Sequence, residues 1–401
     1  MTSQSAIEPF RVDVDEAVLK DLRARLANTR WPDQLPDAGW EYGTESGYLR
    51  ELCEYWRSEF DWRKAEARLN AFPQYMTEID GQRLHFYHIR SPEPDATPLL
   101  ISHGWPGSVA EFLDVLGPLS DPRSHGGNPK DAFHVIAPSL PGYGFSGPTQ
   151  RKGFGPQEMA ATFAKLMERL EYERYAAQGG DWGAVITTFL GSQAADKLIG
   201  IHLNLMMGTL MTSPPDPTDI MKGLTPAEQD DVSASLRFRT SESGYQAIQA
   251  SKPQTAAYGL NDSPAGLAGW IVEKFRTWSD CEGDVERSYT KDQLLTNITI
   301  YWVTQTINSS MRLYYEFTGF GRPVRPLGPD GTPAPVVHVP TAHARYPKEV
   351  VRPPRSWTTR QYPNMIRWTE MPQGGHFAAM EHPGPFVEDV RSFFRELKGT
   401  R

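Results

Sequence analysis

Cysteine is scarce in this sequence: only Cys53 and Cys281 occur in 401 residues, and they form no C-x-x-C pair. Two cysteines cannot build a disulfide framework, and so low a number is typical of a reducing compartment. The N-terminal residues lack the apolar segment of a signal peptide, and the chain has no run of about 20 apolar residues that could span a membrane. We therefore expect a cytoplasmic protein without a membrane partner.

Long basic runs are missing as well, and the net charge is -8. An acidic chain without a basic patch is a poor partner for nucleic acid or for an anionic membrane, whereas a small-molecule substrate fits this charge balance. No internal repeat or low-complexity tract is present. With 39% hydrophobic residues, 34 glycines and 34 prolines, the composition predicts a soluble globular protein with a sizeable core and many turns.

Short apolar runs alternate with helical patterns along much of the chain. The runs predict strands at 84–89, 98–102, 133–137, 175–177, 200–205, 336–339 and 365–368, and the helical patterns include 156–170 and 385–397. Strands that alternate with helices indicate a mostly parallel sheet flanked by helices, so the predicted fold class is α/β. The alternation stops for about a hundred residues after 205, and this stretch is expected to form an inserted helical cap.

An aspartate lies in the middle of a glycine-flanked turn between the strand predicted at 175–177 and a following helix. The turn reads Gly179-Gly180-Asp181-Trp182-Gly183. It has the form of a nucleophile elbow, usually G-x-S-x-G, in which small residues allow a strained turn that lifts one side chain above a parallel sheet. A carboxylate of ordinary pKa is already anionic at neutral pH, so Asp181 needs no base before it attacks saturated carbon. An isolated motif of this kind is more commonly a turn or helix-capping aspartate.

An acid and a histidine follow the nucleophile in the α/β-hydrolase order, each after a strand. Glu349 is the only acidic residue between the strands predicted at 336–339 and 365–368, and we expect it to be the acid. His376 follows Gly374-Gly375 after the later strand, and we expect it to be the base. His382, which is followed by proline, is interpreted as structural.

Two backbone amides are candidates for an oxyanion hole, which would stabilise the charge that develops on an acyl-type intermediate. The first belongs to Trp105, in the His103-Gly104-Trp105-Pro106 turn after the strand at 98–102. The second belongs to Trp182, the residue after the nucleophile. Both indole rings would then flank the pocket.

Residues 103–108, the elbow at 179–183 and the segment 374–379 together resemble the epoxide hydrolases of the α/β-hydrolase superfamily, and most closely their microsomal type. The resemblance runs from about Phe10 to the C terminus and includes 56–63 and 66–73. The N-terminal membrane anchor of the mammalian members is missing, so the chain is more similar to their soluble microbial relatives. The resemblance implies a cis peptide bond between Trp105 and Pro106 and is compatible with a homodimer.

The family uses two cap tyrosines to protonate the oxygen of the epoxide ring, and Tyr245 and Tyr314 match them. Tyr314 also continues an apolar stripe at helical spacing, whereas Tyr315 is turned about 100° away from it; the stripe consists of Ile300, Val303, Ile307, Met311 and Tyr314. The implied activity is hydrolysis of a small-molecule epoxide to a vicinal diol through a covalent aspartyl ester, without a metal or organic cofactor. Detoxification, catabolism and secondary metabolism are all compatible roles.

The domain organisation follows from the same motifs. We expect an N-terminal wrapping extension, or meander, at 1–72, with helical stretches at 14–26 and 48–69. The first part of the α/β-hydrolase core is expected at 73–212, the helical cap at 213–324 and the second part of the core at 325–401. Within the cap, Ser263 and Pro264 are expected to begin a helix as its N-cap and first-turn residue.

Two other functions stay open at this point. A haloalkane dehalogenase also carries an aspartate elbow followed by tryptophan, but it releases halide through N–H donors and needs no acids, so Tyr245 and Tyr314 separate the two enzymes. The second alternative is a catalytically inactive ligand-binding α/β-hydrolase, since a fold does not fix a function. The complete set of Asp181, Glu349, His376 and both tyrosines argues against it.

Overall fold

A mixed β-sheet runs through the protein, whose computed structural model describes residues 6–206, 220–317 and 335–399. The described strands form one sheet in the order β1-β2-β3-β5-β4-β6-β7-β8-β9. Their bounds are β1 (Glu8–Phe10), β2 (Gln74–Ile79), β3 (Gln82–Ile89), β4 (Thr97–Ser102), β5 (Phe133–Pro138), β6 (Tyr175–Gly179), β7 (Leu198–Leu203), β8 (Thr341–Arg345) and β9 (Met365–Glu370).

The N-terminal part of this sheet is antiparallel and the remainder is parallel. Strands β1, β2, β3 and β5 pair in antiparallel fashion, whereas the pairs from β5 through β9 are parallel. Strands β4 to β7 are almost completely buried, as expected for parallel strands covered on both faces. The arrangement confirms the predicted α/β-hydrolase fold.

Helices surround the sheet and supply the cap. Helices α5 and α6 pack side by side near β4 and β6, while α15 contacts β7 and α4. The bounds are α1 (Glu16–Ala27), α2 (Ser46–Ser58), α3 (Trp62–Leu69), α4 (Leu116–Ser120), α5 (Pro156–Arg169), α6 (Asp181–Gln193), α7 (Pro226–Arg237), α8 (Gly244–Ser251), α9 (Pro253–Leu260), α10 (Pro264–Trp278), α11 (Lys291–Thr304), α12 (Ile307–Phe317), α13 (Arg355–Thr358), α14 (Ala378–Glu381) and α15 (Pro383–Gly399). Among the described helices, none combines the length and the apolarity that crossing a membrane requires.

Six of the seven predicted strands are present, but the strand predicted at 336–339 is wrong. The chain there has no regular structure, and the strand begins at Thr341, immediately after Pro340. Proline has no N–H to give to a sheet ladder, so the ladder starts after it. Residues 341–344, Thr-Ala-His-Ala, contain no large apolar side chain, but they are buried because β8 lies between β7 and β9. Glu349 still follows this strand.

The helical stretch predicted at 48–69 is two helices, α2 and α3. The break comes at Asp61, whose carboxylate accepts hydrogen bonds from the backbone amides of Arg63 and Lys64 at 2.9 and 3.4 Å and so caps α3. In the cap, Ser263 accepts a hydrogen bond from the Gly266 amide at 3.0 Å, which confirms the predicted start of α10.

Helices α7 to α12 lie between β7 and β8 in the chain, where the cap was expected. The predicted stripe from Ile300 to Tyr314 does not run along one helix, because Gln305 adopts a left-handed conformation (φ 52°) and separates α11 from α12. The expected cap boundaries at 212/213 and 324/325 lie outside the described residues.

The N-terminal extension is packed on the cap. Tyr55 of α2 donates a hydrogen bond to the carboxylate of Asp292 at 2.9 Å, and Arg25 of α1 forms an ion pair with Asp262 at 2.7 Å. The hydroxyl of Thr44 donates to the carbonyl oxygen of Gly269 at 2.7 Å. The extension therefore helps to fix the cap helices.

Candidate active site

Asp181 sits at the junction of β6 and α6 with a positive φ of 47°. Glycines make this turn sterically feasible, because a Cβ on Gly183 would lie 1.9 Å from the carbonyl oxygen of Ser102 in β4, and a Cβ on Gly104 would lie 2.0 Å from Asp181 Oδ1. Ser102 and Gly179 are register partners at the carboxyl ends of β4 and β6. The elbow is thus pressed against the loop that follows β4.

Asp181, His376 and Glu349 form a continuous hydrogen-bonded chain. His376 Nδ1 lies 2.6 Å from Glu349 Oε1, and His376 Nε2 lies 3.2 Å from Asp181 Oδ2. Glu349 Oε1 also accepts a hydrogen bond from the Val350 amide at 2.7 Å. The side chains of His376 and Glu349 are only 1% and 2% exposed, whereas that of Asp181 is 19% exposed. Asp181, the nucleophile candidate, is therefore the most accessible of these three hydrogen-bonded side chains.

The charges of the two carboxylates that contact His376 favour a positive charge on its imidazole. Burial by itself would lower the pKa of His376, but the carboxylates of Glu349 and Asp181 outweigh it and raise that pKa well above its ordinary value. While both carboxylates are charged, the imidazole therefore holds a proton. Loss of the charge on Asp181 would remove one of the two contributions that raise the pKa.

The turn at 103–106 brings a backbone donor to Asp181. The Trp105 amide donates a hydrogen bond to Asp181 Oδ1 at 2.7 Å, and the bond between Trp105 and Pro106 is cis, as predicted. One carboxylate oxygen thus faces the amide and the other faces His376. The part expected of the Trp182 amide stays a prediction.

Helix α11 of the cap holds the same turn from the other side. Asn297 donates a side-chain hydrogen bond to the carbonyl oxygen of Pro106 at 2.8 Å, and the hydroxyl of Tyr301 donates to the carbonyl oxygen of Gly107 at 2.7 Å. Both side chains are 1% exposed. We call these two contacts the clamp. The sequence analysis missed them, because residues on a mostly buried helix give no pattern that distinguishes side chains bonded to a neighbouring turn from ordinary core packing.

Tyr245 on α8 and Tyr314 on α12 are buried against Trp105 of the turn at 103–106, which we call the catalytic turn. The rings of Trp105 and Tyr245 stack at 5.1 Å, and the two tyrosine rings lie 5.8 Å apart in an edge-on arrangement. Tyr314 also packs edge-on against Trp182 at 4.8 Å. The indole rings of Trp105 and Trp182 therefore pack against the phenols.

Both phenols are neutral and within electrostatic range of Asp181. Burial raises the pKa of each tyrosine above its ordinary value; the Asp181 charge is the next cause for Tyr245, and Tyr245 followed by Asp181 are the next for Tyr314. Tyr315 is only half-buried. The structure thus brings Tyr245 and Tyr314 together with Asp181, His376 and Glu349.

The loop that carries His376 is fixed by the carboxylate of Glu381. This carboxylate accepts hydrogen bonds from three backbone amides, those of Asp280 at 2.9 Å, Gly375 at 3.0 Å and Phe377 at 3.0 Å. Burial raises the pKa of Glu381 to about 7, although the three amides act to lower it. Glu381 was not identified from the sequence. The only indication of its role there is its position five residues after His376.

The end of α10 joins the cap to this loop. The His376 amide donates to the carbonyl oxygen of Trp278 at 2.9 Å, and a Cβ on Gly375 would lie 2.5 Å from that oxygen. The Trp278 ring lies 5.0 Å from the ring of His376 and 5.1 Å from that of Tyr245. One cap side chain therefore contacts both the base and a phenol.

His103 has a structural place beneath the catalytic turn. Its Nδ1 lies 3.0 Å from the carbonyl oxygen of Gly104, and its Nε2 accepts a hydrogen bond from the Leu140 amide at 3.1 Å. Burial lowers the pKa of His103 to about 4, so the ring is neutral. Over residues 6–206, 220–317 and 335–399, no group of three or more His, Cys, Asp or Glu side chains is arranged to hold a metal ion.

Known proteins resemble this chain over nearly its whole length. Residues 7–112 match the family model described as epoxide hydrolase N terminus, and residues 97–278 match the alpha/beta hydrolase fold. Epoxide hydrolase 1 of Sus scrofa is 39% identical over 98% of this chain and 89% of its own length.

Two solved structures are similar as well. The juvenile hormone epoxide hydrolase of the silkworm Bombyx mori superposes with a TM-score of 0.87 at 32% identity, covering 99% of this chain and 96% of its own. The Aspergillus niger epoxide hydrolase superposes with a TM-score of 0.84 at 31% identity, covering 99% of this chain and 98% of its own.

Proposed function

This chain belongs to the epoxide hydrolase family, the enzymes that convert an epoxide to a vicinal diol, and from that premise we propose a role for each residue of its site. Asp181 is the nucleophile, Tyr245 and Tyr314 are the acids, and His376 oriented by Glu349 is the base. The amides of Trp105 and Trp182 form the oxyanion hole. The family and the fold agree with the expectations from the sequence.

The first half-reaction is alkylation of the enzyme. Asp181 Oδ2 attacks one carbon of the epoxide, and the bond from that carbon to the ring oxygen breaks. One tyrosine hydroxyl gives its proton to that oxygen and becomes a tyrosinate, while the other donates a hydrogen bond to it. Oδ1 becomes the carbonyl oxygen of the ester, because it already accepts the hydrogen bond from Trp105. The product is a hydroxyalkyl ester of Asp181.

The second half-reaction is hydrolysis of that ester. His376 takes a proton from a water molecule, whose oxygen attacks Asp181 Cγ, and the Trp105 amide stabilises the negative charge on Oδ1. The bond from Cγ to the ester oxygen then breaks, and the diol leaves with the proton from His376. The proton that remains on the Asp181 carboxyl passes to His376, which restores the carboxylate and the protonated imidazole. Esterification removes the charge of Asp181 and with it one cause of the raised pKa of His376. The imidazole then gives its proton to the tyrosinate left by the first half-reaction, so alkylation itself prepares the base.

One observation carries the proposal: the two oxygens of Asp181 have different partners, with two neutral phenols above them. Trp105 holds Oδ1, His376 holds Oδ2, and the Asp181 charge raises the pKa of both tyrosines. A haloalkane dehalogenase has no use for acids, because halide leaves as a stable anion. The phenols therefore favour epoxide opening over dehalogenation.

A single turnover in H₂¹⁸O tests the covalent route. Because water attacks the ester carbonyl, the label is expected in the peptide that contains Asp181, and the first diol formed should be unlabelled. Mass spectrometry of the peptide and of the diol measures both. Label in the first diol and none in the peptide would refute the ester. Styrene oxide and a chloroalkane, assayed side by side, separate the enzyme from a dehalogenase.

We propose a cytoplasmic location on the basis of the free thiols. Cys53 and Cys281 are both free and buried, and burial raises the pKa of both, which keeps them unreactive. The substrate is a small-molecule epoxide, and assembly as a homodimer is a further proposal. Cell fractionation and light scattering of the purified protein test the two proposals.

A further inference from the structure

A small cavity lies behind the catalytic carboxylate and has room for about one water molecule. Two carboxyls line it, those of Asp181 and Glu111, together with the ring of His376. Much of the remaining wall is apolar and includes Phe112 and Phe377. The sequence analysis gave Glu111 no role, and neither half-reaction described above uses it.

Glu111 reaches this cavity because a glycine leaves space for its side chain. It belongs to the short 3₁₀ helix Val109–Phe112, which begins directly after the catalytic turn. A Cβ on Gly107 would lie 1.5 Å from Glu111 Oε1 and 2.6 Å from its Cδ, so any larger residue at 107 would displace the carboxyl. Glu111 is thus folded back over the turn that supplies the Trp105 amide.

The carboxyl of Glu111 is surrounded by protein and yet keeps accessible surface, because it lines the cavity. Burial raises the pKa of Glu111 to about 8, and the charges of Asp181 and Glu381 act in the same direction. A charged His376 and the amide of Gly104 lower that pKa. These opposing effects place Glu111 within range of both His376 and Asp181.

We propose that Glu111 holds the hydrolytic water between His376 and the ester of Asp181. The inference rests on the proposed two-step function and adds a residue to its second step. An ester carbonyl buried in protein can be attacked only by a water that already lies beside it. Here the same cavity brings together a proton acceptor, the attacked carboxyl and the carboxyl of Glu111, beside four other polar side chains, those of Ser102, His103, Gln178 and Asn204.

The proton balance leaves Glu111 unchanged. The water gives one proton to His376 Nε2 and donates its other hydrogen in a hydrogen bond to a Glu111 carboxyl oxygen. The oxygen of the water bonds to Asp181 Cγ, and the bond from Cγ to the ester oxygen breaks. The alkoxide of the diol takes the proton from His376, and the second proton of the water passes from the Asp181 carboxyl to His376, which restores the carboxylate. A carboxyl oxygen accepts this hydrogen bond whether the carboxyl is neutral or charged.

Rapid mixing with an epoxide substrate tests this role, because ester formation and ester hydrolysis are separate steps that quenched-flow mass spectrometry resolves. In Glu111→Ala we expect hydrolysis to slow by about tenfold or more, with ester formation within about threefold of wild type, so that the ester accumulates. Glu111→Gln retains a carbonyl acceptor and should lose less. The comparison uses the full chain, with thermal unfolding to show that each variant is folded.

Two further variants make the outcome unambiguous. His376→Gln should trap the ester and serves as the positive control. Asp114→Asn, at an exposed carboxylate that pairs with Arg68, should leave both rates unchanged. Unchanged hydrolysis in Glu111→Ala, or an equal fall in both rates, overturns the inference for Glu111. Absence of any ester in the wild type and in His376→Gln would instead refute the two-step function itself.

Discussion

The core half of the site, made of Asp181, Glu349 and His376, is positioned by backbone that admits no larger residue, whereas the cap half, made of Tyr245 and Tyr314, is positioned by aromatic packing. In the core half, glycines at 104 and 183 leave no space even for a methyl group. In the cap half, rings pack on rings at 5.1 and 5.8 Å, stacked for Trp105 and Tyr245 and edge-on for the two tyrosines. The first arrangement constrains the backbone, and the second depends on side-chain packing.

The two halves also differ in charge. The core half contains carboxylates and an imidazole joined at 2.6 and 3.2 Å, and charged hydrogen bonds of this kind are strong and directional. The cap half contributes neutral phenols, and Asn297 and Tyr301 reach the core through neutral hydrogen bonds. Substitution of Asp181 should therefore stop catalysis, while substitutions of the other residues in either half should slow one step of it.

The largest effect is expected for Asp181→Ala, which removes the nucleophile. Turnover should fall by at least about 10⁴-fold, because no other residue can form the ester. Diol formation and the mass of the protein after incubation with epoxide measure this. Covalent labelling of the variant by substrate would mean that another residue is the nucleophile.

Replacement of the phenols tests the cap half. Tyr245→Phe and Tyr314→Phe should each slow ester formation by about tenfold or more, and the double variant by about 10²- to 10⁴-fold, because the epoxide oxygen then leaves without a proton. Hydrolysis of the ester should change little. Tyr315→Phe is the matched control on the same helix and should behave as wild type. Slower ester hydrolysis with unchanged ester formation would contradict the role of the tyrosines as acids in the first half-reaction.

Glu349→Gln separates the charge of the acid from its geometry. The Val350 amide should hold the amide oxygen of the new side chain in place, so His376 keeps its orientation but loses a charge that raises its pKa. A protonated His376 cannot act as a base, so ester hydrolysis falls as the pH drops through that pKa. The acid limb of the hydrolysis rate should move to lower pH, and the maximal rate should fall by about tenfold because the base is weaker. If the acid limb of the hydrolysis rate stays at the same pH, His376 is not the group whose protonation controls that rate.

The smallest effect is expected at the clamp between α11 and the catalytic turn. Tyr301→Phe removes the hydrogen bond to the Gly107 carbonyl oxygen but keeps the packing, and we expect a loss of a few-fold in kcat with little change in KM. The free energy of unfolding should fall by about 1 kcal/mol. Thr304→Ala, whose hydroxyl bonds only within the cap, is a control for a general loss of stability. If the two variants have equal activity, the clamp has no part in positioning the turn.

Candidates for the nucleophile and the base could be named from the sequence because a constrained backbone leaves a mark in it. Asp181 and His376 are each flanked by glycines that the fold requires. Tyr314 was identified partly from a periodicity that assumed a continuous helix, which Gln305 interrupts; the residue is nevertheless buried, because Ile307, Met311 and Tyr314 alone already define one face of α12.

The strand at 341–345 was misplaced because apolar content was taken as its signal. Val337 and Val339 are buried in the core without forming a strand, whereas Thr341 and His343 are buried within one. Burial of polar residues depends on which strands lie on either side, and that information is not local in the sequence.

The sequence by itself indicated the alternation of strands and helices in the core, the elbow, and the candidates for nucleophile, acid and base, since local sterics and chemical type specify these. Only the tertiary structure decided that Asn297, Tyr301 and Glu381 hold the catalytic loops and that Glu111 shares a cavity with Asp181. These residues act across 4 to 194 positions of sequence. Contacts of that kind arise when the chain folds and leave no periodic pattern, because their strength depends on distance and burial in space.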